Sequence, residues 1–259
     1  MLFSCFNEIS SFSNNSILSI SSFNFLIETP VRSSPVTFFS NSRIGFLSNG
    51  VERLISINAV GSLSEDINPE EAVIPDQLID RTYLRPSTFF DKSMVAYVSF
   101  AKPFCNELSR YLIETSELYM QVHQSGTMVV IEGPAFSTSA ESRLYQEWGG
   151  HIIGMTALPE AKLAREAEIC YASLSLVTDN DSWEESDHVS QEKVASHLSS
   201  NMINGQSIVK NLIPKLISPR TCECQNALAN TIITKADSVD PAEYKRLKSI
   251  ISKYVQSYS

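Results

Sequence analysis

The sequence lacks long apolar runs, and no stretch approaches the roughly 20 consecutive apolar residues that a helix needs to span a bilayer. It also lacks a positively charged leader, because the start MLFSCFNEIS contains no Lys or Arg and the first arginine is Arg32. A secretory signal is therefore not indicated, and an organelle transit peptide is a poor match. We expect a soluble protein of the cytoplasm or nucleus that does not bind a membrane.

Clusters of positive charge are absent as well. The chain has 20 Lys and Arg against 29 Asp and Glu, which makes the formal net charge −9. Nucleic acids are bound through grouped Lys and Arg side chains, so this balance argues against a nucleic-acid partner.

Histidine and cysteine are sparse. The four histidines stand apart, and the five cysteines, an odd number in a long chain, do not indicate a disulfide framework. Cys222-Glu223-Cys224 is compatible with a metal clip or a strained redox pair, but no histidine completes a ligand set. We therefore expect reduced thiols and no metal site.

The chain does have enough apolar material for a core. Its 259 residues are 43% hydrophobic, sufficient for one large α/β domain or two small ones. Residues 1–49 are rich in Ser, Asn and Phe without a sustained period, and we expect an atypical, poorly ordered segment in which SILSI and VTFF are candidate short strands. Residues 50–259 are predicted to form the folded domain.

Strand and helix signals alternate from Gly50 onward. Strands are predicted at RLISINAV (closed by Gly61), EEAVIPDQLID, GTMVVIEG, HIIGM and ICYASLSLVTD. Helices are predicted over residues 103–120, 138–148, from Pro159 through PEAKLAREAE, 190–212 and 241–258, with Ser137 or Thr138 as the cap of the second. This alternation predicts an α/β fold, a single domain with a central mixed sheet flanked by helices.

Polar residues gather at the ends of the predicted strands, where α/β sheets bind ligands. These ends carry Asn58-Ala59, Phe136-Ser137, Met155-Thr156 and residues 178–181. Asp179 and Asp181 are the candidate catalytic acids. Such a pair is compatible with metal ligands, an acid/base element or solvated loop charges. Asp179, however, directly follows an apolar strand, and burial there would suit it to share a proton with a ring nitrogen.

The other strand-end residues also have two interpretations. Phe136 and Met155 taken singly are compatible with core packing, and Thr156 with a helix cap. Their joint placement at the strand ends favours a binding site.

Several long motifs resemble those of one enzyme family. They are SINAVGSLSEDINPEEAVIPDQLIDRT, RPSTFFD, FAKPFC, GTMVVIEGPAFSTSAES and WGGHIIGMTALPEAKLAREAEICYASLSLVTDNDSW. From about Gly50 onward the chain is similar to the S-methyl-5′-thioadenosine phosphorylases of the purine nucleoside phosphorylase superfamily, and the tail CECQNALANTIIT resembles the fungal branch. The resemblance implies a homotrimer without a cofactor. It also implies that phosphate, the co-substrate, converts methylthioadenosine to adenine and 5-methylthioribose 1-phosphate in purine and methionine salvage.

The resemblance also assigns roles around the purine base. It implies that Asp179 binds or protonates N7 and that Asp181 assists at the 6-amino edge. Enzymes that prefer 6-oxopurines carry Asn at the position of Asp179, and an Asp there accepts from a 6-amino group, which favours adenine nucleosides. Phe136 would pack on the base and sugar, Ser137 would meet the base edge, and Met155 would lie under the ribose.

The phosphate and the 5′ group involve further positions. The resemblance implies that Thr156 donates to phosphate, with the Ala59 N–H and Asn58 beside it. Val189 would line the methylthio pocket. Tyr97 stands where the family has a histidine, which the neighbouring subunit contributes near the 5′ group.

The N-terminal part departs from the family pattern. The family begins with a strand and a Gly-rich phosphate turn and later carries an Arg-His pair, and residues 1–49 match neither. We therefore expect much of the anion cradle to be missing. Two functions stay open: an active methylthioadenosine phosphorylase, or a truncated, catalytically weak remnant that binds adenine nucleosides or assembles with intact subunits. Asp179 disfavours a 6-oxopurine enzyme.

Overall fold

The structure is a computed structural model that describes residues 50–183 and 196–255 and the backbone of residues 16–20, 25–27 and 191–195. Within this part of the chain, nine strands form one mixed sheet. They are β1 (Ser16–Ile20), β2 (Phe25–Ile27), β3 (Arg53–Ser62), β4 (Ala72–Val73), β5 (Gln77–Arg81), β6 (Val122–His123), β7 (Thr127–Ile131), β8 (Ile152–Gly154) and β9 (Cys170–Asn180).

The sheet order is β5-β7-β8-β3-β9-β4-β6, with β1 added beside the first half of β3 and β2 beside β1. Strands β3 and β9 run parallel along their whole length. On its other side β3 pairs with β1 as far as Ile57, and then with the antiparallel β8 at Gly61 and Ser62. Strand β3 therefore changes neighbours partway along, and the residues at this change lie next to the end of β8.

Both faces of the central strands are buried, which explains their nearly continuous apolar sequences. Side chains alternate between the faces, so that Tyr171 and Val177 of β9 join one core while Leu174 and Leu176 join the other. The helices that cover these faces are α1 (Asn106–Ser116), α2 (Ser139–Glu147), α3 (Ala157–Glu166), α4 (Gln191–Leu212) and α5 (Pro241–Ile251).

Helices α1 and α4 lie on the Leu174 face, and α3 and α5 lie on the Tyr171 face. Three short 3-10 helices connect the C-terminal elements: Ile213–Leu216, Glu223–Asn226 and Ala236–Ser238. The predicted α/β fold with a mixed sheet flanked by helices is confirmed.

Local sequence signals predicted most element positions correctly. Thr138 caps α2 in a capping box with Glu141, as its sequence indicates. Helix α1 is shorter than predicted, since Cys105 occupies its N-cap and accepts from the Leu108 N–H. SILSI forms β1, whereas VTFF lies outside the described residues.

Further element boundaries differ from the sequence-based expectation, and α3 begins at Ala157 rather than at Pro159. The segment EEAVIPDQLID contains two strands rather than one, because the chain leaves β4 just before Pro75 and pairs again as β5. Strand β3 continues past Gly61 to Ser62, with a shift of its register against β9 between Val60 and Gly61. The last helix ends at Ile251, and residues 256–259 lie outside the described part.

Across the described ranges, no helix has both the length and the apolar character that crossing a membrane requires.

Candidate active site

The candidate residues come from β3, β8 and β9 and from the loop that follows β7. Asn58 and Ala59 were expected at the carboxyl end of their strand, but they lie in the middle of β3. Because β8 is antiparallel to β3 and starts opposite Ser62, its carboxyl end returns alongside Asn58. Asp179, at the end of β9, pairs with Gly61. Gly61 lies three residue steps after Asn58, so the two polar groups are about 10 Å apart along β3.

The first polar group is a hydrogen-bond network around Asn58, which is buried (2% exposed). Thr156 Oγ1 donates to Asn58 Oδ1 across 2.7 Å, and Asn58 Nδ2 donates to Ser173 Oγ across 2.7 Å. Thr156 occupies the N-cap of α3 but makes no side-chain cap hydrogen bond there, so its hydroxyl serves the network instead. The network ties the end of β8 to the two central strands.

The second polar group is shaped by a β-bulge. The register of β3 and β9 shifts between Val60, which pairs with Val177, and Gly61, which pairs with Asp179, so Thr178 is the extra residue. Bulges re-aim the side chains that follow them. Thr178 Oγ1 lies 2.7 Å from Asp179 Oδ1 and 3.2 Å from the Val60 carbonyl oxygen. The bulge thereby sets the direction of the Asp179 carboxylate.

Gly61 allows the two strands to bring the acids close. A Cβ atom at Gly61 would lie 3.2 Å from Asp179 Oδ2 and 3.4 Å from the Cβ of Asp181. Helix α4 holds the same stretch of β9 from the other side, since His197 Nδ1 lies 2.6 Å from the Thr178 carbonyl oxygen and Asn201 Nδ2 donates to that of Val177. The position of Asp179 is thus defined by contacts from β3 and α4.

Asp181 differs from Asp179 in burial, because Asp181 is 3% exposed and Asp179 is half-buried. Its Oδ2 accepts from Ser142 Oγ across 2.7 Å, and its N–H donates to the Ser62 carbonyl oxygen. Burial raises the pKa of the Asp181 carboxyl, and hydrogen bonds from the Ser142 hydroxyl and the Ser182 N–H oppose that rise. Asp179 is therefore the acid more open to a ligand, with Asp181 beneath it.

The loop after β7 carries Phe136 and Ser137. The Phe136 ring is 60% exposed, so it is not a core residue in this chain. Ser137 Oγ is buried and makes no hydrogen bond of normal geometry among the described residues. It lies near enough to the Asp181 carboxyl to lower the pKa of that group. An exposed aromatic ring beside a buried hydroxyl is suited to a ligand that offers both a flat apolar face and a polar edge.

Met155 follows β8 and lies against the same loop. Gly133 has φ +67°, and a Cβ there would come within 2.6 Å of Met155 Sδ. Glycine is therefore required at 133 both for its backbone conformation and for the close approach of Met155. This contact joins the loop after β7 to the end of β8.

Arg85 holds two segments of the site together, and the sequence interpretation missed this residue. Its guanidinium donates to the carbonyl oxygens of Ile131, Glu132, Met155 and Leu158 and forms an ion pair with the Glu132 carboxylate at 3.1 Å. It thus holds the chain after β7 and the chain after β8 in one arrangement. The motif RPSTFFD, which contains Arg85, was the available signal, but nothing in it indicated the partners.

The remaining predicted positions are less connected to this site. Ala59 is half-buried in β3 and pairs with Leu176. The Tyr97 ring is 74% exposed, and its backbone N–H donates to the Thr231 carbonyl oxygen on a separate segment. Val189 lies outside the described residues, as does most of the N-terminal segment for which a missing anion cradle was expected.

Comparison with known proteins gives a consistent result. The family model described as "Phosphorylase superfamily" matches residues 39–214. The S-methyl-5′-thioadenosine phosphorylase of Koribacter versatilis is 47% identical over 212 residues, covering 81% of this chain and 73% of that protein. The protein of the same name from Chloroflexus aurantiacus is 49% identical over 208 residues, covering 79% and 72%.

Solved structures agree with these relatives. A methylthioadenosine phosphorylase from an antarctic soil metagenomic library matches with a TM-score of 0.77 and 40% identity, over 80% of this chain and 75% of that one. The Schistosoma mansoni methylthioadenosine phosphorylase in complex with adenine matches with a TM-score of 0.66 and 26% identity, over 81% and 75%.

Proposed function

Because the chain belongs to the Phosphorylase superfamily, and within it to the S-methyl-5′-thioadenosine phosphorylases, we propose that it cleaves S-methyl-5′-thioadenosine with phosphate. The products are adenine and 5-methylthioribose 1-phosphate. The observation that carries this proposal is the pair of polar groups on β3, Asn58–Thr156 and Gly61–Asp179, separated by about 10 Å of strand. That separation suits a nucleoside whose base lies at the acids and whose anomeric carbon faces the other group.

The base binds at the acid end. Asp179 accepts from the 6-amino group and holds the proton shared with N7, while Asp181 supports the amino edge from beneath. Burial raises the pKa of Asp181, and the hydrogen bond from Ser142 favours the ionised carboxylate that accepts from the amino edge. The exposed Phe136 ring packs on the purine and the sugar, and Ser137 Oγ meets the base edge.

The phosphate binds at the Thr156 end. In the structure the Thr156 hydroxyl donates a hydrogen bond to Asn58 Oδ1. When phosphate binds, this hydroxyl rotates and donates to the anion instead. Asn58 and the Ala59 N–H lie beside it in β3. The rotation is inexpensive, because Asn58 Oδ1 keeps a second donor, Ser56 Oγ at 3.0 Å.

The reaction follows from these positions. A phosphate oxygen forms a bond to the anomeric carbon while the bond from that carbon to the purine nitrogen breaks. Positive charge grows on the sugar, where the phosphate anion stabilises it, and the electron pair moves into the purine, where the proton held by Asp179 neutralises it. Met155 lies under the ribose and excludes water from the reacting face. No cofactor takes part.

The pocket for the 5′ methylthio group of the substrate depends on how the subunits assemble. Tyr97 is exposed in the single chain, which fits a ring that reaches the substrate's 5′ group in a neighbouring subunit. We propose a homotrimer in which Tyr97 and Val189 line the methylthio pocket, acting in purine and methionine salvage in the cytoplasm or nucleus.

The test is a phosphate-dependent assay of adenine release from methylthioadenosine by the purified full chain. We expect release only with phosphate, loss of release in Asp179→Ala, and no change in Asp237→Ala, a matched control at an exposed aspartate. Release that does not depend on phosphate would contradict the proposal. Adenine binding without any release would favour the alternative, a catalytically weak chain that binds adenine nucleosides or joins intact subunits.

A further inference from the structure

Four of the five cysteines meet in one cluster, although they come from distant parts of the chain. They are Cys105 at the N-cap of α1, Cys170 at the start of β9, and Cys222 and Cys224 at the 3-10 helix Glu223–Asn226. All four Sγ atoms lie within 4.8 Å of one another, and the Cys170 and Cys222 sulfurs are 3.2 Å apart. Three of these side chains are buried and Cys222 is half-buried. The sequence interpretation expected no such site, because only the Cys222–Cys224 pair is visible as a local pattern.

The mutual spacing of the sulfurs fits a tetrahedral metal ion. A zinc ion bound by four thiolates has Zn–S bonds of about 2.3 Å, which puts its sulfurs about 3.8 Å apart. The Cys170 and Cys222 sulfurs are closer than this value at 3.2 Å, and all four sulfurs lie within 4.8 Å of one another, so side-chain rotations bring the four atoms to tetrahedral spacing. The geometry points to a structural zinc site formed by Cys105, Cys170, Cys222 and Cys224. Tetrahedral four-sulfur sets are typical of zinc and of iron–sulfur centres, and elemental analysis separates the two.

Donors around the cluster suit thiolate ligands. On binding, the four thiols release four protons, and the Zn²⁺ with four thiolates carries a net charge of −2. The Leu108 N–H points at Cys105 Sγ from 3.5 Å, in the first turn of α1, and Arg220 Nη1 lies 4.0 Å from Cys170 Sγ. Arg220 is held there by the carbonyl oxygens of Glu52 and Glu168. These donors offset the charge of the site, as outer-shell groups do in metal centres.

The position of the cluster indicates a structural role. Cys170 begins β9 and Asp179 stands near its other end, so the two lie about 30 Å apart along the strand. The ion would join three segments that are distant in the sequence: the start of β9, the start of α1 and the segment after α4. The inference therefore stands apart from the proposed phosphorolysis, and neither depends on the other.

The test measures the metal content of the full chain, purified under reducing conditions from cells supplied with zinc. We expect about one zinc per chain by elemental mass spectrometry, and a drop below about 0.1 in the double variant Cys222→Ser/Cys224→Ser. Cys5→Ser, at the fifth cysteine outside the described residues, is the matched control and keeps its zinc. Exchange with Co²⁺ should produce the sulfur-to-cobalt charge-transfer absorption of a tetrahedral four-thiolate site, and chelation should lower Tm by about 5 °C or more.

The double variant could lose zinc merely because it does not fold, so a second experiment titrates the thiols of the unaltered chain. The chain has five thiols, four in the cluster and Cys5 outside it, so adding a mercurial in steps should release one zinc in total by the time all five are consumed, as read by a colorimetric zinc indicator. Consumption of all five thiols without zinc release would overturn the inference. A mass lower by 2 or 4 Da in the untreated chain would also overturn it, because the cysteines would then be joined in disulfides.

Discussion

Replacing Ser142 with alanine perturbs one hydrogen bond to a buried acid and leaves the rest of α2 in place. Ser142 Oγ donates to Asp181 Oδ2 across 2.7 Å, and Asp181 is 3% exposed. Burial raises the pKa of Asp181, while this hydroxyl is the largest influence that lowers it. Ser142→Ala therefore removes stabilisation from the ionised carboxylate and should raise the pKa of Asp181 further.

The size of the effect follows from the strength of such a bond. A hydrogen bond to a charged group contributes about 1.5–3 kcal/mol, and one pKa unit corresponds to about 1.4 kcal/mol. The Ser182 N–H still donates to the carboxylate, so the ionised Asp181 loses one charged hydrogen bond of two and its pKa should rise further. Because the amino edge of adenine needs the ionised acceptor, the acidic limb of the pH profile should move upward, and kcat/KM on that limb should fall about tenfold or more.

Two assays measure this shift. The first is the pH dependence of kcat/KM for phosphate-dependent adenine release. The second is adenine nucleoside binding followed by the fluorescence of Trp183, whose indole N–H donates to the Ser62 carbonyl oxygen, the acceptor that also takes the Asp181 N–H. Ser142→Thr, which keeps a hydroxyl, and Ser139→Ala, an exposed serine of the same helix, are the controls.

Stability gives a readout that does not depend on activity. A carboxyl whose pKa is raised in the folded state binds its proton more tightly than in the unfolded chain, so its ionisation weakens the fold as the pH rises above about 3.8, its ordinary value. The free energy of unfolding lost in Ser142→Ala should therefore be larger at pH 7 than at pH 4 in urea melts. A pH profile that superposes on that of the unaltered chain, together with an equal loss at both pH values, would refute the assignment of Ser142.

Other predictions address the base, the phosphate, the 5′ pocket and acid stability. Asp179→Asn should lower kcat/KM for adenine nucleosides about ten- to a hundredfold, because one charged hydrogen bond is lost, and should shift preference toward inosine. If the ratio of kcat/KM for adenine nucleosides to kcat/KM for inosine is unchanged, Asp179 does not bind the base. Thr156→Val should raise KM for phosphate about tenfold or more with little change in KM for the nucleoside, and equal changes in both would contradict its role. The kcat/KM for methylthioadenosine should exceed that for adenosine by a factor equivalent to about 1–3 kcal/mol, and Tyr97→Ala should reduce this difference. A higher kcat/KM for adenosine would contradict the proposed methylthio pocket. Glu71 is partly buried, which raises its pKa, but the Asn68 N–H and His123 outweigh this and lower it. Its stabilisation should be present above about pH 4.5 and disappear as the pH falls through the lowered value, so the difference in urea midpoint between Glu71→Gln and the unaltered chain should shrink from pH 7 to pH 3.

Some parts of the site could be predicted from the sequence because local patterns carry them. The apolar run before Asp179 indicates a buried strand, and the Thr138–Glu141 spacing indicates the start of α2 that presents Ser142. The resemblance of the motifs then supplied the roles of the strand-end residues, and family membership is confirmed by the relatives. The individual roles of those residues stay predictions, as do the 1–49 boundary and the fungal likeness of the tail.

Other parts could not be predicted because they depend on how strands align. The bulge at Thr178 follows from the register of β9 against β3, which no single strand encodes. Arg85 reaches carbonyl groups of four residues that are 46 to 73 positions away. The four clustered cysteines likewise come from three separate regions of the chain.

The sequence by itself determined the alternation of strands and helices, the helix cap at Thr138, and the presence of an aspartate rather than an asparagine at position 179. These depend on residue type and on spacings of a few residues, which periodicity and capping chemistry express directly. The tertiary structure alone decided that Asp181 is the buried acid, with a hydrogen bond from Ser142, 39 residues away. It also decided that the Thr156 hydroxyl donates a hydrogen bond to Asn58, 98 residues away. Burial and hydrogen-bond partners are properties of the space around a side chain, and that space is filled by residues that only the folded sheet brings together.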